Sequence, residues 1–196
     1  MIITSLLALG SMSMPLVQAK TFTVGGPNPA AQIFSVESQS DFEDFIGTTN
    51  QVTGKLTYDP KTKTGTANVS VKVGAIDTGI PLRNDHMKSA GWLDAEKFPE
   101  ATFSVTDTKA LGSDRYKVSG KLTLKGVTKS IAGEATIKYF PESATTKGAR
   151  FKGDVLQVKG TVKIKLSDYN VVIPAGAKGK VGETVTLKLS VFATTG

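Results

Sequence analysis

The sequence predicts an all-β protein of about eight antiparallel strands, with little helix and one short helical cap segment. Three observations carry this. From residue 51 onward apolar and polar side chains alternate with period two, the mark of strands with one buried and one wet face. Gly, Pro, Asn and Asp recur between these runs as turn residues. Residues 82–103 then break the pattern: they hold the only Trp (Trp92), the only His (His86) and the helix-favouring run Asp94-Ala95-Glu96-Lys97, stopped at Pro99. A meander of this kind closes into a barrel or stacks into a sandwich, and closure removes exposed strand edges. No internal repeat or compositional break divides residues 20–196, which read as one domain.

Thr21-Phe22-Thr23-Val24 is a short alternating piece, broken by Gly25-Gly26-Pro27-Asn28-Pro29. Ile33-Phe34-Ser35-Val36 is the next strand. Phe42, Phe45 and Ile46 stand at helical spacing, so one turn of helix or a structured loop fits there. Val52, Leu56 and Tyr58 share a face with Gly54 between them, and Asp59-Pro60-Lys61 begins a turn. Residues 66–73 alternate most strictly, with Ala67, Val69, Val71 and Val73 on one side. After the 82–103 segment, a strand over 102–105 ends at Asp107. Another over 116–124 carries Tyr116, Val118, Leu122 and Leu124 in phase, and Gly120 on that face marks a bulge or bend. Lys125-Gly126-Val127 turns the chain into the row Ile131, Gly133, Ala135, Ile137. A polar loop over 141–148 leads to a strand or bent pair over 151–166, with Val162, Ile164 and Leu166 in phase. A long connection over 167–182 precedes the last strand, 184–192, where Val185, Leu187, Leu189 and Val191 align.

Residues 1–19 carry no charged side chain; an apolar stretch opens at Leu6, and Val17-Gln18-Ala19 suits a signal-peptidase cut. They read as a secretory signal peptide cleaved before Lys20, so an exported protein is expected. The basic leading region is missing: either the free amino terminus supplies the charge or translation starts upstream. The 24 Lys and Arg against 17 Asp and Glu give a net charge of +7. The lysines are dispersed and alternate with apolar residues, as in Lys163-Ile164-Lys165-Leu166, so they form a solvated outer face. No aromatic-basic cluster of the kind that stacks bases is present, which argues against nucleic acid. Cysteine is absent, so thiolate metal sites and cysteine nucleophiles are excluded and stability must come from packing and closure.

Nor does a catalytic constellation emerge. His86 has no second His or Cys partner, and next to Asp85 it reads as a surface or helix-capping residue. Gly-Lys-Leu-Thr at 54–57 and 120–123 lacks the glycine-rich lead of a phosphate loop. The expectation is a protein that is not an enzyme, with no metal and no cofactor. The inward rows are Val, Leu, Ile, Ala and Gly; a barrel of this size either fills its own interior or holds one small ligand. Strand phase nominates Val52, Leu56, Val69, Val71, Leu122, Leu124, Ile131, Ile137, Ile164 and Leu187 as interior ligand contacts, with Phe45, Trp92, Phe98 and Phe103 lining or closing a mouth.

Two blocks of residues resemble a known family. The first is Asp77-Thr78-Gly79-Ile80, Arg83-Asn84-Asp85-His86-Met87-Lys88-Ser89, Trp92-Leu93-Asp94-Ala95 and Phe98-Pro99-Glu100-Ala101-Thr102-Phe103. The second runs from Val118 through Gly120-Lys121-Leu122-Thr123-Leu124-Lys125-Gly126-Val127 to Lys129. Their order and spacing are similar to the signature of the YceI-like family, and the likeness covers nearly all of the mature chain. The resemblance implies a lipocalin-like antiparallel β-barrel that binds a long isoprenoid or related amphiphile lengthwise. It also implies a periplasmic location and, through relatives fused or encoded with cytochrome b561-type inner-membrane proteins, a quinone-type ligand. A homodimer is a further candidate assembly. One departure stands out: many members carry a His-Ser pair where this chain reads Pro29-Ala30-Ala31-Gln32-Ile33-Phe34, so no head-group contact by that His carries over. The rival expectation is a solid-cored structural or stress-response module whose basic surface meets anionic lipid or a partner protein.

Overall fold

The computed structural model describes residues 19–25 and 31–196. The expected signal peptide, but for its last residue, and the expected break at 26–29 lie outside the described residues. Among the described residues ten strands form: β1 (Lys20–Val24), β2 (Ile33–Ser38), β3 (Phe45–Thr49), β4 (Val52–Asp59), β5 (Thr64–Lys72), β6 (Glu100–Gly112), β7 (Arg115–Leu124), β8 (Val127–Phe140), β9 (Val155–Lys165) and β10 (Thr184–Thr194). Helix α1 (Pro81–Lys88) lies between β5 and β6, and the short α2 (Ala144–Gly148) between β8 and β9.

Every strand pairing is antiparallel. The order β1-β4-β5-β6-β7-β8-β9-β10 closes on itself, because β1 meets β10 at Thr23↔Thr194 and Val24↔Ala193. These eight strands are the barrel. The rest of that β10 edge is taken by β2, from Ser190↔Ile33 to Val185↔Ser38, and β3 pairs on β2 as a hairpin. Between the two segments the backbone of Phe192 would be left open. The buried side-chain amide of Gln32 fills this gap: its Nε2 donates to the Phe192 carbonyl (3.0 Å) and its Oε1 accepts from the Phe192 N–H (3.2 Å). The stretch just before β2 thus holds the stitch of the barrel seam.

Phe45 and Ile46 do not belong to a helical turn. They open β3, whose alternation puts Gly47 and Thr49 inward and leaves Ile46 half exposed, while Phe42 stays outside on the surface. Two side chains at helical spacing are too few to outweigh a hairpin partner. The helical cap segment is also displaced. Asp94-Ala95-Glu96-Lys97 makes turns, with Asp94 at a positive φ of 51°, whereas the helix is α1, started by Pro81 at its first position. Proline's fixed φ suits that first turn and its missing N–H costs nothing there.

Strand β6 continues past Asp107 to Gly112 through a bulge at Thr106, between the pairs Val105↔Gly120 and Asp107↔Ser119. The extra residue shifts the phase: Ala101, Phe103 and Val105 face in before it, Thr108 after it. The irregularity expected at Gly120 is therefore on its partner strand. Gly120 is what lets the strands approach there, since a Cβ at that position would lie 2.1 Å from the Ser104 carbonyl oxygen and 2.8 Å from Val105 Cα. Both contacts are backbone and cannot swing away. Gly120→Ala is expected to cost roughly 1–3 kcal/mol, as overpacking does, lowering the thermal midpoint by several degrees; an unchanged melting curve would contradict this geometry. The β7–β8 hairpin turns on Lys125 and Gly126, both at positive φ (48° and 74°), the signature of a tight type I′ loop.

The barrel has two unlike ends. One carries the β4–β5 and β6–β7 turns and the loop holding α2. The other is covered by residues 73–99, including α1, and by the 166–183 connection. The polar stretch at 141–148 contains α2, capped by Ser143 with Thr146 reciprocating.

Candidate functional site

The inward rows do not interdigitate completely. They leave two apolar chambers stacked along the barrel, with volumes of ≈ 120 Å³ and ≈ 90 Å³. The larger occupies the middle and the end near the β4–β5 turn. It is lined by Leu56, Val69, Ile131 and Ile137 together with Tyr58, Ala67, Gly120, Gly133, Ala135, Leu156, Val158 and Val191. The smaller lies under the cap and is lined by Phe45, Val71, Trp92, Leu122, Leu124 and Ile164. Phe34, Phe103 and Leu187 border both chambers and form the waist between them; the Phe34 and Phe103 rings are 6.0 Å apart. Interior voids this large exceed the space that one water needs and are walled by carbon, so they favour an apolar occupant.

The sequence-nominated residues fall along these walls with two exceptions. Val52 is inward and fully buried, but it packs in solid core and lines neither chamber. Phe98 is outside the lumen. Its ring lies on the β7–β8 turn, where a Cβ on Gly126 would sit 2.7 Å from Phe98 Cε1, so it cannot close a mouth. The Asp94 carbonyl accepts the Phe98 N–H at 2.8 Å and directs the ring there.

At the end away from the cap sits an aromatic cluster. Tyr58, on β4, and Tyr116, on β7, are both buried, and their hydroxyls meet at 2.8 Å. Tyr139 packs near Tyr58 and edge-on to Phe22, at 6.5 Å and 6.4 Å between centroids. Its hydroxyl accepts from Lys20 Nζ (3.0 Å) and donates to Asp154 Oδ2 (2.8 Å), and Lys20 and Asp154 form a direct ion pair. The Lys20 ammonium, with the Glu142 N–H and the Tyr139 hydroxyl, holds the Asp154 carboxyl below its ordinary value of 3.8. A carboxyl lowered on folding contributes stability that is complete above its unfolded value and disappears as pH falls through the folded one. The stability gap between the wild type and Asp154→Asn should therefore be widest near neutral pH and close as pH drops below about 4. Urea unfolding at a series of pH values measures it, and a gap independent of pH would contradict the assignment.

A family model described as YceI-like domain matches residues 21–193. The chain belongs to the YceI-like family. It is 32% identical over 166 residues to the protein YceI of Salmonella arizonae and to that of Salmonella newport, spanning 79% of this chain and 83% of each relative. Among solved structures, Burkholderia cenocepacia BcnA matches with a TM-score of 0.71 at 25% identity, over 85% of this chain and 98% of its own. A polyisoprenoid binding domain from Saccharophagus degradans, implicated in plant cell wall breakdown, matches at 0.65 and 17% identity, over 90% of this chain and 99% of its own. A Campylobacter jejuni YCEI protein matches at 0.57 and 17% identity, over 97% and 91%. The last two likenesses bear on the fold alone.

The YceI-like signature at 77–103 now has a structural reading. Asn84 Oδ1 accepts from the Thr78 N–H (2.9 Å) and hydroxyl (2.8 Å), and Asn84 Nδ2 donates to Asp77 Oδ1 (2.6 Å). Asp77 and Thr48 exchange backbone hydrogen bonds, which ties the segment to β3. Arg83 pairs with Glu43 and lays its guanidinium over the Phe45 ring, 4.5 Å from the centroid. These contacts tie the cap to β3 and to Glu43 ahead of it, and its Trp92, Leu93 and Met87 face the smaller chamber. His86 is exposed on α1, and its carbonyl accepts the Ser89 N–H at 3.0 Å. Sequence reasoning missed Met87, Leu93, Val171 and Val181 as walls of the cap chamber, and Phe34 as part of the waist. Phe34 was legible from strand phase; Val171 and Val181 sit in an irregular connection, where no periodicity announces which way a side chain points.

Proposed function

We propose that this protein binds a long amphiphilic isoprenoid-type lipid, polyprenyl or quinone-like, inside its barrel and carries it in the periplasm. The observation that carries this reading is the pair of contiguous apolar chambers, which a solid-cored structural module would lack. Membership of the YceI-like family supports it, as does the polyisoprenoid binding ascribed to a structural neighbour. Binding rather than catalysis fits the walls, since the chamber linings are carbon-rich. Export is supported by the uncharged residues 1–19. If the ligand is a quinone, a cytochrome b561-type membrane protein is the matching partner.

The energetics are sufficient without special chemistry. At about 0.3 kcal/mol per heavy atom, a chain of about 40 carbons gives about 12 kcal/mol, which corresponds to nanomolar affinity. The waist at Phe34, Phe103 and Leu187 means that such a chain occupies both chambers only if those side chains shift. Extraction and mass spectrometry of the protein purified from its own cells, combined with titration of added prenol or quinone, test the reading. Co-purification of an isoprenoid is the expected result; no lipid and no binding of either probe would overturn it.

A further inference from the structure

The two chambers are walled largely by carbon, and at the end of the larger one Tyr58, which lines it, brings its hydroxyl to that of Tyr116. In the ring β1-β4-β5-β6-β7-β8-β9-β10, strands β4 and β7 are three places apart, so the two hydroxyls meet across the lumen rather than along its wall. Tyr58 lines the larger chamber. Two hydroxyls that share one hydrogen bond use one of their two hydrogens. The second finds no protein acceptor among the described residues. Tyr139, the nearest other phenol, is committed to Lys20 and Asp154. The Thr108 hydroxyl in the same chamber is engaged with the Gly65 N–H (2.9 Å) and carbonyl (3.3 Å). Burial, the hydrogen bond shared with Tyr116 and the nearby carboxylates keep Tyr58 protonated far beyond neutral pH, so it stays neutral.

From this geometry we infer that the Tyr58–Tyr116 pair is a head-group site for a neutral oxygen acceptor, an alcohol or carbonyl, with the ligand's tail running towards the cap. This rests on the lipid-binding reading above and specifies it. A neutral oxygen reaching the pair completes its hydrogen bonding in a dry site. An anionic phosphate would lose its hydration there against a single neutral donor, which is unfavourable; Lys188, the lysine along the wall of this chamber, gives its ammonium to Glu37. The site therefore sorts isoprenoids by head group: prenols and quinones are accepted head-first, prenyl phosphates are not.

The double variant Tyr58→Phe/Tyr116→Phe is the appropriate probe, because either hydroxyl alone retains a free hydrogen, whereas removing both with shape preserved is nearly neutral for folding. Affinities of geranylgeraniol, its phosphate and the corresponding hydrocarbon are measured for the wild type and the double variant. The expected result is a loss of about tenfold for the alcohol in the variant, the equivalent of one buried hydrogen bond, with the hydrocarbon unchanged within about twofold. The wild type should prefer the alcohol to the phosphate. Equal weakening of alcohol and hydrocarbon, or no change in either, would overturn the head-group site while leaving lipid binding intact. Binding of none of the three to the wild type would instead overturn the carrier reading itself, and this proposal with it.

Discussion

Replacing Ala67 with Phe should weaken lipid binding by roughly two orders of magnitude while leaving the barrel folded. Ala67 faces the larger chamber from β5, opposite Leu56 on β4 and Val105 on β6, and its methyl leaves open space in front of it. A benzyl group there occupies the lumen. Displacing about ten heavy atoms of a bound tail, at about 0.3 kcal/mol each, removes about 3 kcal/mol of binding, or roughly two orders of magnitude in affinity. Stability should hold or rise, because apolar atoms enter a void and regain the contacts it lacks. The sign of the stability change separates two pictures of the interior. In a solid core the same substitution overpacks and costs roughly 1–3 kcal/mol. Prenol titration together with a denaturant melt reads both quantities on one sample; unchanged binding, or a marked loss of stability, would contradict a functional cavity at this place.

Gln32→Ala should produce the largest stability loss of any single polar substitution at the seam. The Gln32 amide supplies both hydrogen bonds of Phe192 on the β10 edge, between the stretch held by β1 and the stretch held by β2. Truncation leaves a backbone donor and a backbone acceptor without partners. Each unsatisfied group costs about 1–3 kcal/mol when buried; since Phe192 is only partly buried, roughly 2–4 kcal/mol in total is expected. Gln32→Glu tests the same stitch chemically. It retains an acceptor for the Phe192 N–H but loses the donor to the carbonyl, and it adds a charge at a buried position, so it should destabilise as well. Hydrogen exchange of the Phe192 amide gives the local readout. Protection there should fall in the Ala variant; full protection would show that something else closes the seam.

Much of this architecture is legible in the chain. The rows Val69 and Val71, Leu122 and Leu124, or Ile131 to Ile137 are inward because a residue-by-residue alternation leaves no other assignment once one face is buried. That alternation calls for a cover on the dry face, which either a closed ring or a second packed sheet provides, and the β1–β10 pairing shows that the ring is the one used. The family signature is legible for a different reason: at 77–103 it spells the hydrogen-bonded clamp of Asp77, Thr78 and Asn84, whose geometry needs those side chains. What misled was local resemblance to helix. Asp94-Ala95-Glu96-Lys97 has the composition of a helix but is only a few residues long, and a segment that short does not nucleate without tertiary support. Pro81 was the better guide, because it fixes a first turn by covalent geometry. Phe98 misled because proximity in sequence to Trp92 says nothing about which side of the barrel rim a ring falls on.

The sequence by itself determined the class, the phase of nearly every strand, the turn at Lys125 and Gly126, and the family. These depend on near neighbours along the chain, where spacing fixes geometry. Only the tertiary structure decided whether the interior is hollow, that Phe34, Phe103 and Leu187 narrow it to a waist, that Gln32 completes the seam at Phe192, and that Tyr58 and Tyr116 meet across its floor. Each of these joins residues distant in sequence, and a void is a property of all facing rows at once. Apolar rows of the same composition can interdigitate or stand apart, and the register and shear of the closed barrel settle which.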